Sequence, residues 1–146
     1  MPRASTHIFR VRLWPKVYRD IEIDSRKSLY DLAAAIVRAF EFDFDHAFGF
    51  FSKLTGHIYD SPVRYDLFAD MDVGSTALSV KRTTVLQAFP EVASKMLFLY
   101  DYGDPWKFRV EVIGFGEKEP KTRYPKVLAA VGDAPPQYPE IDEIDN

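Results

Sequence analysis

The apolar and polar positions of this chain change period several times, and each change marks an element. From Met96 to Ile113 a continuous apolar run, MLFLY, breaks at Asp101-Tyr102-Gly103-Asp104-Pro105. Strict alternation follows, with Trp106, Phe108, Val110 and Val112 on one face and Lys107, Arg109 and Glu111 on the other. That pattern predicts two strands joined by a tight corner. Nearer the N-terminus, Phe9, Val11 and Leu13 alternate with Arg10 and Arg12. After Pro15-Lys16 a second run sets Val17, Ile21 and Ile23 opposite Tyr18, Asp20 and Glu22, which predicts a hairpin with one buried face. Arg19 falls on the apolar side of the second strand. Its expected place is the sheet margin, with its stem along apolar surface and its head in water.

Ser28 to Phe40 changes to helical spacing, with Leu29, Leu32, Ile36 and Phe40 three and four residues apart and Ala33, Ala34 and Ala35 allowing close approach to a sheet. Ser28 with Asp31 resembles a capping box and fixes the start. His46 to Phe51 predicts a strand, Lys53-Leu54-Thr55-Gly56 a turn, and His57-Ile58-Tyr59 its short partner strand. Asp60 to Thr76 has no period and collects Asp, Pro, Gly and Ser, so it reads as a long surface loop. Thr84 with Gln87 is a second capping box, opening a brief helix through Val85, Leu86 and Phe89. Beyond Gly114 and Gly116, Lys118 to Lys126 is a charged connection. The terminal stretch holds three of the ten prolines.

The expected organisation is one domain over 1–132 and an acidic, proline-rich, partly disordered arm over 133–146. A hairpin, a helix and further hairpins in this order predict an α+β fold: a two-layer antiparallel or mixed sheet with one main helix packed across it. Topologically this is a β-grasp-like (ubiquitin-like) roll with additions.

Composition narrows the chemistry. The 146 residues are 47% hydrophobic and 15% aromatic, enough for a sizeable core, and there is no cysteine. Disulfides, thiolate nucleophiles and cysteine-ligated metals are therefore excluded. The longest apolar run, Leu32 to Val37, is about six residues against the roughly twenty of a spanning helix, and Met1 to Trp14 has no signal-like stretch, so a cytoplasmic protein is expected. Net charge is −3, but 133–146 carries five acidic residues and no basic ones. The preceding 132 residues thus hold 19 Lys+Arg against 17 Asp+Glu, about +2. So weak a field disfavours general nucleic-acid binding.

The residues Tyr100 to Trp106, Y-D-Y-G-D-P-W after an apolar strand, resemble the signature of the plasmid pRiA4b ORF-3-like family, Y-D-[FY]-G-D-x-W. Three further features are similar and in the same order: a helix ending in Ala39-Phe40, a strand opening at His46, and Gly132-Asp133-Ala134-Pro135-Pro136, which resembles the family's G-x-x-P-P element. Two features depart from the pattern. Many members have His-x-His-x-Phe where this chain has His46-Ala47-Phe48-Gly49-Phe50, and many carry cysteines around the proline pair. No metal or cofactor is therefore carried over. The resemblance implies a setting on plasmids and beside mobile elements. The resolvase label attached to some members finds no activated serine or tyrosine constellation here.

Three candidate sites follow. Asp101 and Asp104 would hold a hard cation or divide acid and base roles; as structure, they would accept backbone N–H groups in an Asx-type turn, with Gly103 and Pro105 shaping it, and this reading is preferred. Tyr102 and Trp106 would form an aromatic wall, although Trp106 heads an apolar face and reads as core. His46 and His57, with Asp101 or Asp104, would make a two-histidine, one-carboxylate set; solvated histidines are the simpler expectation. Arg10, Arg12, Lys107 and Arg109 would form a basic strip if their strands were neighbours, but Glu22 and Glu111 on the same faces suggest an ordinary salt-bridge ladder.

The functional expectation is a non-enzymatic binding or interaction module for an unknown protein or small ligand. Its recognition surface would be Tyr100, Asp101, Tyr102, Gly103, Asp104 and Trp106 together with the loop 60–76. The alternatives are a metal-assisted hydrolase or nuclease using Asp101, Asp104 and His46, and an accessory nucleic-acid binder.

Overall fold

The computed structural model describes residues 5–71, 77–103 and 105–138. Its strands are β1 (Thr6–Trp14), β2 (Val17–Asp24), β3 (Phe48–Phe51), β4 (Arg64–Asp66), β5 (Leu78–Ser79), β6 (Lys95–Tyr100), β7 (Trp106–Gly116) and β8 (Lys126–Val131). The helices are α1 (Leu29–Ala39) and the single turn α2 (Val85–Ala88). The strands form one open sheet in the order β5-β4-β3-β6-β7-β1-β2-β8, in which only β4 and β5 run parallel. The α+β architecture is as expected. The β-grasp-like roll is not shown, because the first strand lies antiparallel to β7 and the sheet stays open.

Alternation decides which face each strand buries. Phe9, Val11, Ile21, Ile23, Phe98, Phe108, Val110 and Val112 point to the helices and meet Leu29, Leu32, Ala33, Ile36 and Val37 of α1 in the main core. Aromatic rings fill it at tilted contacts, including Phe50 to Phe98 at 4.8 Å and Phe40 to Phe108 at 4.9 Å. The far face carries a second, smaller core. Leu97 and Leu99, the alternate residues of β6, are covered by Phe51, Ile58, Leu54 and Tyr102, because the chain between β3 and β4 folds over that side.

Both capping boxes form. Ser28 and Thr84 each accept from the backbone three residues on, and Asp31 and Gln87 return the bond. The two helix starts lie side by side: Ser28 bridges Thr84, Leu29 N–H donates to Thr83, Tyr30 N–H to Val80, and Val85 N–H to Lys27. First-turn donors, which have no partner inside their own helix, are thus exchanged between the two.

Three expectations are corrected. His57-Ile58-Tyr59 is not a strand: Ile58–Asp60 is a 3-10 turn and β3 pairs instead with β4, inside the segment expected to be loop. Lys126–Val131 is a strand, paired to β2. Arg19 is not at the margin with its head in water. It is 6% exposed and donates to the carbonyls of Ala39, Tyr18, Val131 and Gly132 at 2.9 to 3.1 Å, tying the end of α1 to the end of β8. His7 is also buried, with Nδ1 2.7 Å from the Ser25 hydroxyl and Nε2 2.8 Å from the Phe89 carbonyl. Burial pushes its pKa down.

Candidate functional site

The corner between β6 and β7 divides its side chains between the two faces. Tyr100 enters the main core beside Phe44 and Phe98, and its hydroxyl gathers the segment after α1, accepting from Asp45 N–H at 2.7 Å and His46 N–H at 3.2 Å and donating to the Asp43 carbonyl. Burial raises its pKa, which keeps the donor proton in place. Asp101 takes a positive φ of 68°, its amide donates to the Ala47 carbonyl, and its Oδ1 accepts Gly103 N–H at 3.2 Å, the Asx-type turn expected. Tyr102 crosses to the small far-side core. Its hydroxyl lies over Gly49, where an added Cβ would come within 2.8 Å of it, so the glycine makes room for the phenol. Burial first, and then nearby Asp66 and Tyr59, hold its pKa well above the usual tyrosine value. Gly103 is exposed and Trp106 is half-buried, packed 4.9 Å from Phe42 against the main core. Asp104 lies outside the described residues.

His46 and Asp101 are brought together, with Nε2 and Oδ2 3.6 Å apart. The sequence reading missed the rest of that cluster. Asp45 stands 3.3 Å from the same nitrogen, and Tyr138, from the terminal arm, hydrogen-bonds to it and lies 3.4 Å from both oxygens of Asp45. Gln137 clasps Asp43 through both its amide atoms. These pairings span more than ninety residues of sequence, and no local pattern announces them. His57 is not part of the cluster; the two histidines line different hollows. Among the described residues no group of three or more histidine and carboxylate side chains is arranged to hold a metal ion. The cluster holds a histidine, carboxylates and a phenol, and among the described residues no serine or threonine is hydrogen-bonded to the His46 imidazole.

The far face of the sheet offers more room. A hollow of about 300 Å³ opens over Leu99 and Lys107, walled by Gly56, His57, Ile58, Tyr59, Asp60 and Pro105. Tyr59 is 56% exposed, and its ring is held by Phe51 at 5.4 Å and Tyr102 at 6.4 Å. A second hollow of about 260 Å³ lies between Arg10, Arg12, Arg109 and Glu111. The strands carrying the basic residues are neighbours, so the strip assembles. Only part of it is a ladder: Arg10 forms a two-pronged pair with Asp20 at 2.9 and 3.0 Å, whereas Arg12 stands directly opposite Arg109.

Among the described residues no helix is long and apolar enough to cross a membrane. No curated protein matches the chain. The fold is similar to that of a protein of unknown function from Methanosarcina mazei, with a TM-score of 0.70 and 19% identity over 86% of this chain and 68% of that one. At that identity the likeness is one of fold. Residues 8–139 match the plasmid pRiA4b ORF-3-like protein family, and the chain belongs to that family.

Proposed function

We propose that the domain is a binding module and that its recognition surface is the far face of the sheet, next to the Tyr100–Trp106 corner. The observation that carries this is the hollow over Leu99 and Lys107. It combines an apolar floor, a half-exposed tyrosine fixed from behind by two rings, and a lysine at its edge, the mixture of apolar wall and few polar groups that ligand sites use. The corner contributes by support: Tyr102 backs the Tyr59 ring and Pro105 forms one wall. We place this activity in the cytoplasm, in the plasmid setting that the family's description names.

An NMR titration with a panel of small aromatic fragments tests the reading. Amide shifts are expected at 56–60, Leu99 and Lys107, and Tyr59→Ala should abolish them. If no fragment perturbs these positions, or the variant responds like the parent, the hollow is not a recognition site.

A second reading, metal-assisted hydrolysis, has the 3.6 Å approach of His46 to Asp101 in its favour and the lack of a three-ligand group among the described residues against it. A divalent ion bound there would raise Tm by mass action. No shift with millimolar manganese, magnesium or zinc would dispose of it; a shift lost in His46→Ala would favour it over a pure binding role.

A further inference from the structure

We infer that the far face of the sheet takes single-stranded nucleic acid, with phosphates on Arg12 and Arg109 and a base on Tyr59. This rests on the reading of the Tyr59 hollow as a recognition surface and adds the class of ligand.

Arg12 of β1 and Arg109 of β7 are direct cross-strand partners, and like charges in that position weaken a sheet. Among the described residues neither has a carboxylate within ion-pair distance, although Arg10, on the same strand and face as Arg12, is paired to Asp20. Arg12 is nonetheless oriented: its guanidinium lies 5.1 Å over the Tyr18 ring and donates to the Pro15 carbonyl at 3.3 Å. Two guanidinium groups facing one polar hollow form a fork for an oxyanion, and phosphate is the group that arginine binds in two-pronged fashion. Glu111 borders that hollow too; in register it stands opposite Arg10 on one side and Lys95 on the other rather than opposite Arg12 or Arg109.

The ligand's second feature comes from the next hollow. Lys107 lies two residues from Arg109 on the same face, about 6.7 Å along the strand, and forms the edge of the Tyr59 hollow. Passing from Arg12 and Arg109 to Lys107 and then Tyr59, the surface offers anion sites followed by an aromatic ring. That is the sequence of groups along a nucleotide chain, and combining backbone cations with a stacking ring is how single strands are held without base reading. A free nucleotide fits less well, since most residues around the Tyr59 hollow are exposed and would leave one side of it in water. A duplex fits less well too: its bases are not free to stack, and the near-neutral body lacks the extended field that duplex binding draws on. Asp60, at the rim, places a negative charge beside the bound strand and so limits affinity.

The test is fluorescence anisotropy with a labelled oligothymidylate of about ten nucleotides, within the span one such surface covers, across a salt series. The same-length duplex and thymidine monophosphate serve as competitors. Saturable binding is expected, with the single strand at least roughly tenfold tighter than either competitor. Arg12→Gln and Arg109→Gln should each weaken it several-fold and reduce the slope of log K against log salt by about 0.7. Tyr59→Ala should weaken it roughly tenfold at unchanged slope. Relieving the opposed charges should leave Tm equal or higher in Arg109→Gln, which among the described residues gives up no such contact as Arg12 makes with Tyr18, and this separates loss of ligand from loss of fold. Absence of saturable binding, tightest binding to the duplex or the monophosphate, or variants that bind like the parent would each overturn the inference. If aromatic fragments still perturb 56–60 in that event, the binding-module reading stands and only the ligand class is wrong; if they do not, both fail.

Discussion

The two faces of the sheet are made by the same strands and have opposite tasks. On β6, Phe98 and Leu99 are adjacent and both almost wholly buried, yet Phe98 sits among rings from β3 and β7 in the main core, while Leu99 belongs to a small cluster with Phe51, Ile58, Leu54 and Tyr102. Among the described residues no buried side-chain nitrogen or oxygen lacks a partner, on the helix-covered face as elsewhere. The other face leaves two arginines opposed across a strand pair. Stability is concentrated on one side of a sheet only a single layer thick, and this leaves the other side free to carry groups that do nothing for folding.

That contrast can be broken by measurement. Phe98→Ala should cost about 4 kcal/mol in urea unfolding, whereas Leu99→Ala, in the smaller cluster, should fall near the lower end for its type, about 2 kcal/mol. Equal losses would mean that the far-side loop is as integral as the helix. Next in size is Arg19→Met, which removes the donors that hold Ala39, Val131 and Gly132. A loss of about 2 to 3 kcal/mol is expected, with earlier proteolytic cleavage near β8. A change within experimental error would show the arginine to be filler.

Acidity should act on the helix-covered face first. The lowered pKa of His7 means that the unfolded chain binds a proton more readily than the folded one. Stability is therefore full above the ordinary histidine value of about 6.5 and falls as pH drops below it. Asp24 behaves in the same direction but later: the hydrogen bond from Arg26, with Lys118 adding to it, holds its carboxyl well below the usual range, so its contribution disappears only in stronger acid. Urea midpoints from pH 8 to 5 should decline in the parent and stay flatter in His7→Gln. A flat parent curve would mean that the buried imidazole titrates normally.

The hairpin of β1 and β2, the helix α1 and the β6–β7 corner were legible because each has a clean period and a chemical start or stop, such as Ser28 with Asp31 or Gly103 before Pro105. β8 was not. Its apolar residues Val127, Leu128 and Val131 are 40 to 49% exposed at the open edge, so burial never imposed alternation on them. Arg19 misled because its partners are backbone carbonyls, which no side-chain pattern records. The four basic residues of the strip were visible, but their effect depends on register: an irregularity between Ile8 and Phe9 sets which residue faces Arg12. The Asp45–Tyr138 contact joins distant parts of the chain and needed the fold itself.

The exchanged first-turn bonds of α1 and α2 have a consequence for the dynamics of the helical layer. The amides of Leu29 and Val85 are 56 positions apart, yet each is shielded by the segment that precedes the other helix. Neither helix can fray at its start without baring the other. Deuterium should therefore enter both sites at one common rate, reporting a single cooperative opening of the layer.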